Sequence, residues 1–293
     1  MRKSITTSLA IITAAALLGL CAVSAPVALG EDDKLVYAAA DNGDRVVDFS
    51  YCGYRGGGVK IPDAPVRLVV APVEGDATAL IQAAIDRVSA MKPDKDGLRG
   101  AVLLAKGIYR VSGQVRIGHS GAVLRGSGNG EDGTVLIATG DSRRPLILAG
   151  GTDDRAVAEE GVAIVDSRVP VGALSFSVAD ASKLKPGIKV LIERPSSLEW
   201  LHSIGMDQIP SGAHRYKHYT WGQSGTSRGM RFHVLTGSLW WDRTVTGMEG
   251  DRITVDAPIT TGIATADGGK VYLYTFPGRI SRVGIENLLC RSE

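Results

Sequence analysis

Cysteine is scarce in this chain of 293 residues, with three in all. Only Cys52 and Cys290 lie beyond the first thirty residues, so the disulfide framework of small secreted scaffolds is excluded. Aromatic residues make up only 5%. No apolar run is long enough to span a bilayer, which takes about 20 residues. Charge of one sign is also missing. Arg2 and Lys3 are the only charges in the first thirty residues, which leaves 31 Lys+Arg against 31 Asp+Glu in the rest. A nucleic-acid binder would show a basic excess. Any grip on an acidic polymer must therefore come from local placement of charge.

What is present begins with an export signal over residues 1–30. Arg2 and Lys3 precede an apolar stretch over residues 11–20, and Ala28-Leu29-Gly30 supplies small residues at cleavage spacing. The expected location is secreted or periplasmic. Cys21 raises a lipid anchor, but Leu20 before it is too bulky for a good attachment site, and full release is favoured. Glycine is abundant, at 37 residues. With many β-branched residues and few amphipathic periods, this indicates a mostly β protein with many turns.

Residues 31–66 read as an extended, glycine-rich arm. A short strand over residues 67–71 precedes one convincing helix over residues 76–91. Asp76 is its expected N-cap, and Leu80, Ile81, Ala84, Ile85 and Val88 form its apolar stripe. Short strands follow at 101–104, 109–111, 115–117, 122–125 and 134–137. The runs GAVLL at 100 and GAVLR at 121 begin alike, close to one turn of a β-solenoid. A single helix before such strands is suited to covering the solenoid's open end. A second β-rich stretch has strands at 174–178 and 189–193, a hairpin at 243–248 and 252–255, and strands at 271–275 and 283–289. The chain stops at residue 293 without a closing segment, so further coils are expected beyond it. Gly126-Ser127-Gly128-Asn129-Gly130 opens no helix and reads as a turn, not a dinucleotide fingerprint. His119 reads as a turn residue.

Three motifs carry a resemblance: VEGDATALIQAAID over residues 73–86, GIYRV over 107–111 and LRGSG over 124–128. They resemble the opening of the pectate lyase-like family of right-handed parallel β-helices. LKPGIKV at 184–190 is similar to a β-insert of some members, and Ile285-Glu286-Asn287-Leu288 to the strand that resumes coiling. The resemblance covers residues 67–145 well and 170–290 loosely. It implies an all-β fold: a right-handed parallel β-helix with an N-terminal capping helix and an inserted small β module, its C-terminal coils missing. The expected organisation is a signal peptide (1–30), an arm (31–66), the capping helix and first coils (67–165), an inserted module (166–277) and the start of resumed coiling (278–293).

The fold hosts several chemistries, so function must come from local groups. Residues 200–241 hold all four tryptophans and four of the five histidines. Trp200, Trp221, Trp240 and Trp241 offer flat faces for sugar rings, and His202, Tyr216, Lys217 and His233 offer polar contacts. The alternative is a folded insertion whose indoles make a local core. The favoured expectation is an exported polysaccharide-degrading enzyme, a lyase that cleaves a uronate polymer by β-elimination. Arg228 or Arg231 would neutralise the carboxylate, and His214, His218 or Tyr219 would remove the proton. Hydrolysis needs two carboxylates, for which Glu199, Asp207 and Asp242 are thin material. A non-catalytic glycan-binding surface protein is the third reading. The expected partner is a polysaccharide, with no nucleic acid and no membrane span. No cofactor is expected. Calcium at Asp153, Asp154, Glu159 and Glu160 lacks ordered ligand spacing.

Overall fold

A computed structural model describes residues 25–204 and 238–293 of the chain. The protein is mostly β, with one long helix and several small sheets. The arm begins as an antiparallel hairpin of β1 (Val27–Leu29) and β2 (Leu35–Tyr37). Leu29, Leu35 and Val36 are exposed on it, so this pairing buries little apolar surface.

β3 (Val66–Val70) leads into α1 (Thr78–Ser89). Ile81, Ala84, Ile85 and Val88 are buried along one face of α1, as the spacing predicts. Leu80, placed on the same stripe from sequence, is exposed. The N-cap differs too. Ala77 occupies that position without a side-chain cap, and its N–H bonds to the Arg110 carbonyl. Asp76 sits one residue earlier and does more than cap. Its Oδ1 accepts from the Thr78 N–H (3.2 Å), the Thr78 hydroxyl (2.6 Å) and the Ser112 N–H (2.9 Å). One carboxylate thus joins the helix start to the chain just after a strand.

The next six strands run in two similar passes. β4 (Gly100–Leu104), β5 (Gly107–Val111) and β6 (Val115–Ile117) are followed by β7 (Ala122–Gly126), β8 (Thr134–Ala138) and β9 (Ile147–Ala149). Each strand of the second pass lies parallel to its counterpart in the first: β7 on β4, β8 on β5 and β9 on β6. β3 pairs parallel with the other edge of β4. Val102, Leu104, Tyr109, Val111, Val115, Leu124 and Leu136 turn inward to one core shared with α1. Fully burying such a side chain contributes roughly 1.5–3 kcal/mol each. The Tyr109 ring is wholly enclosed and its hydroxyl donates to the Val70 carbonyl at 2.7 Å.

The register corrects the apparent repeat. Alignment of GAVLL with GAVLR would set Gly100 beside Gly121. The observed partner is Ala122, with Val102 beside Leu124. Strand side chains alternate between faces, so a one-residue slip would turn Leu124 out of the core. Gly121 instead makes the corner. Its φ is +82°, and a Cβ there would lie 2.3 Å from the Gly97 carbonyl oxygen.

After β9 the chain enters an antiparallel module. Its strands are β10 (Ala156–Val157), β11 (Val162–Ala163), β12 (Arg168–Val169), β13 (Ser175–Ser177) and β14 (Lys189–Arg194). The short helix α2 (Leu198–Ser203) follows β14. Beyond residues 205–237 come β15 (Leu239–Glu249), β16 (Arg252–Val255), β17 (Ile263–Ala264) and β18 (Lys270–Thr275). The main sheet runs β10-β18-β14-β15-β16-β13, with β11 also on β18, and β12 pairs with β17. Antiparallel pairing reaches back to Ala156, earlier than residue 166 where the sequence suggests the module starts. Two-residue strands have no period to read. The module has its own core around Phe176, Val190, Ile192, Trp241, Val245 and Ile253.

The module's two ends meet. The Gly278 N–H donates to Asp154 Oδ1 at 2.8 Å, and Gly151 lies against the Gly278 carbonyl. β19 (Gly284–Glu286) then pairs parallel with β7, and β20 (Leu289–Ser292) parallel with β8. The chain therefore resumes the stack where it left it. The pairing forms no closed barrel among the described residues. Cys52 and Cys290 are both free and exposed.

Candidate functional site

Strand alternation gives the module's main sheet a core face and an outer face. On the outer face, Glu193 of β14 lies beside Trp240 of β15, and Leu191 beside both Asp242 of β15 and Tyr272 of β18. Trp240 and Trp241 are adjacent in sequence and therefore point opposite ways. Trp241 is only 7% exposed, and its Nε1–H donates to Thr260 Oγ1 at 2.8 Å. It is a core residue, which corrects its sequence-based assignment to substrate binding. Trp240 is 46% exposed and packs obliquely on Tyr272, with ring centroids 5.6 Å apart and planes at 51°.

Around these rings stand two carboxylates. Glu193 accepts from the Tyr272 hydroxyl (2.9 Å) and the Ser238 hydroxyl (2.6 Å). Asp242 accepts from the Tyr274 hydroxyl (2.6 Å) and from Arg279. Arg279 also lies over the rings of Tyr274 and Phe276, at 5.6 and 4.9 Å. Burial, helped by the hydrogen bonds to Glu193 and Asp242, pushes both Tyr272 and Tyr274 up to about 12. Both phenols therefore stay protonated near neutral pH and act as donors. Gly161 allows this packing, since a Cβ there would lie 2.6 Å from the Tyr272 ring. An exposed indole with carboxylate acceptors beside it can stack a sugar's C–H face and bind its hydroxyls.

The other residues expected from sequence fall into two groups. Trp200 lies on α2 beneath the Arg194 guanidinium, which sits 4.4 Å from the indole centroid. Arg194 is buried, donates to the Gly262 carbonyl and pairs with Asp267 at 3.0 Å. Trp200 thus stacks on a structural arginine. His202 is exposed in the last turn of α2. His214, Tyr216, Lys217, His218, Tyr219, Trp221, Arg228, Arg231 and His233, with Asp207, lie outside the described residues. Asp153, Asp154, Glu159 and Glu160 are all exposed. Among the described residues, no group of three or more His, Cys, Asp or Glu side chains is placed to hold a metal ion. No described helix is long and apolar enough to cross a membrane.

Sequence reasoning missed Glu193, Tyr272, Tyr274 and Arg279. The alternating pattern of KVYLYT over residues 270–275 signals two tyrosines on one strand face, but not what lies beside them.

No family model matches the chain, and no curated protein matches it. Solved structures similar to it include three phage tailspikes. The tailspike gp61 of Pseudomonas phage phi297 is 16% identical, with a TM-score of 0.37, over 73% of this chain and 28% of that one. Gp54 of Acinetobacter baumannii bacteriophage AP22, solved with A. baumannii capsular saccharide, is 12% identical, with a TM-score of 0.32, over 70% and 25%. The tailspike gp49 of Pseudomonas phage LKA1 is 14% identical, with a TM-score of 0.33, over 67% and 24%. This chain thus spans about a quarter of the length of each. Likeness at this level carries no functional argument.

Proposed function

We propose that this is an exported polysaccharide-binding protein whose stacked parallel strands form the first coils of a right-handed parallel β-helix. In this reading the first thirty residues direct export, and the antiparallel module makes the glycan contact. The observation that carries it is Trp240, half exposed on a strand face that also holds Tyr272, Glu193 and Asp242. A half-exposed indole is ordinary by itself, and what supports the reading is its company: Tyr272 packed against it and two carboxylates on the same face give a sugar both a ring to stack on and acceptors for its hydroxyls. Isothermal titration with polygalacturonate, alginate and a neutral glucan tests this. Trp240→Ala is expected to weaken binding of the bound polymer at least tenfold while leaving the melting temperature within a few degrees. Equal binding by wild type and variant would refute the platform.

Turnover by β-elimination is the second reading. It is supported by His214, His218, Tyr219, Arg228 and Arg231 falling in one short stretch. Absence of unsaturated product ends with pectin, alginate and glycosaminoglycans would leave binding alone.

A further inference from the structure

A cleft of about 480 Å³ opens where the arm meets the module. That volume lies within the range typical of small-ligand sites. Arg45, Arg168, Arg252 and Asp166 line it, with Pro170 and Leu174 as apolar surface. Residues far apart in sequence build it. The Arg45 N–H bonds to the Val171 carbonyl at 3.2 Å, and Asp44 accepts from the Val171 N–H at 2.9 Å. Gly172, at φ +85°, lets the Arg45 stem lie close, since a Cβ there would be 2.4 Å from Arg45 Cγ.

The three guanidinium groups are not equivalent. Arg168 is paired to Asp44, with Nη2 at 3.0 and 2.8 Å from the two carboxylate oxygens. Burial alone would raise the Asp44 pKa. The Val171 N–H and Arg168 outweigh it and hold that carboxyl below its ordinary value. Arg252 donates to the Ser175 carbonyl and hydroxyl at 3.2 and 3.0 Å, and stands 3.8 Å from Asp166. Asp166 already accepts the Ser177 N–H at 3.1 Å. No acceptor among the described residues meets the Arg45 guanidinium, so three cations face two carboxylates and one positive charge is left over.

We infer that this cleft binds the carboxylate of an acidic sugar residue, with Arg45 as the cation that receives it. A guanidinium presents two parallel donors that match a carboxylate, and the apolar lining gives the ring a C–H surface to rest on. The site is separate from the Trp240 face, and that its ligand is a sugar acid rests on the polysaccharide reading above.

The test uses a galacturonate oligomer and the same oligomer with its carboxyls chemically reduced, titrated into wild type, Arg45→Gln and Trp240→Ala. Because no described residue pairs with the Arg45 guanidinium, and glutamine keeps the stem that lies against Gly172, the replacement should leave the melting curve unchanged. Arg45→Gln is expected to weaken the acidic oligomer at least tenfold and leave the reduced one unaffected. Trp240→Ala should leave the difference between the two oligomers in place, since the cleft is separate from the aromatic face, and loss of that difference would overturn the assignment to Arg45. The inference fails if wild type does not bind the acidic oligomer, or if Arg45→Gln changes both oligomers by the same factor. It also fails if inorganic phosphate displaces the oligomer at equal concentration, since the site would then select charge and not a sugar acid.

Discussion

Replacing Asp76 by alanine should loosen the helical lid from the strand stack, and by an amount that depends on pH. The carboxylate holds the first turn of α1 through Thr78 and the end of β5 through the Ser112 N–H. Asp76 stands one residue before the N-cap but satisfies a free N–H of the first turn as a cap does, and losing a cap costs about 1 kcal/mol, within a range of roughly 0.5–2. Asp76 is exposed, so the orphaned Ser112 N–H can turn to water and adds little. The expected loss is therefore about 1 kcal/mol at neutral pH. For a domain of this size that is a fall of about 2–4 °C in melting temperature. The Ser112 N–H bond, first, and then Thr78 hold the Asp76 carboxyl well below its ordinary value of 3.8. Its contribution is thus complete above pH 3.8 and is lost as pH falls toward the folded-state value. Urea denaturation of wild type and Asp76→Ala across pH 7 to 2.5 is the assay. The two curves should be separated and parallel down to about pH 4, then converge. A variant as stable as wild type at pH 7, or a gap that widens in acid, would refute the role assigned to this carboxylate.

Three further outcomes follow from the packing. Gly121→Ala puts a Cβ against the backbone of residues 97–99 at a positive φ, and should cost more than the ~1 kcal/mol of the conformation alone, read by thermal melting. Trp241→Ala opens the module core and removes the Thr260 bond, so a loss of about 3–5 kcal/mol is expected, against little change for Trp240→Ala. In an ultraviolet titration Tyr272 and Tyr274 should ionise near pH 12, each assigned by the signal lost in Tyr272→Phe or Tyr274→Phe, and should return to ordinary behaviour in denaturant. Their raised folded values stabilise the protein fully below about pH 10 and lose that effect between pH 10 and 12.

Much of the strand layout was legible because it is local. The segment at 115–117 matches β6 to the residue, and β4, β5, β7 and β8 differ from expectation by one or two residues at an end. Each is a short apolar run bounded by glycine or a polar turn, and both signals lie within a few residues. The stripe Ile81, Ala84, Ile85 and Val88 marked the buried face of α1 for the same reason. The candidate site was far less legible. The tryptophan content of residues 200–241 drew attention to the right end of β15, but composition treats Trp240 and Trp241 alike. Strand alternation separates them into one platform ring and one core ring. Glu193 and Tyr272 meet at 2.9 Å across 79 residues of sequence, a pairing that no local pattern contains.

The amino-acid sequence by itself determined where the chain would be extended, where it would be helical, and which face of the helix would be apolar, since these depend on neighbours a few residues away. The tertiary structure alone decided that Ala122 and not Gly121 lies beside Gly100, that Asp76 ties the lid to the stack, and that Arg45 reaches the module. Those choices are made when distant strands pack. There a slip of one residue reverses every side chain, and the energy that forbids the slip resides in the assembled core.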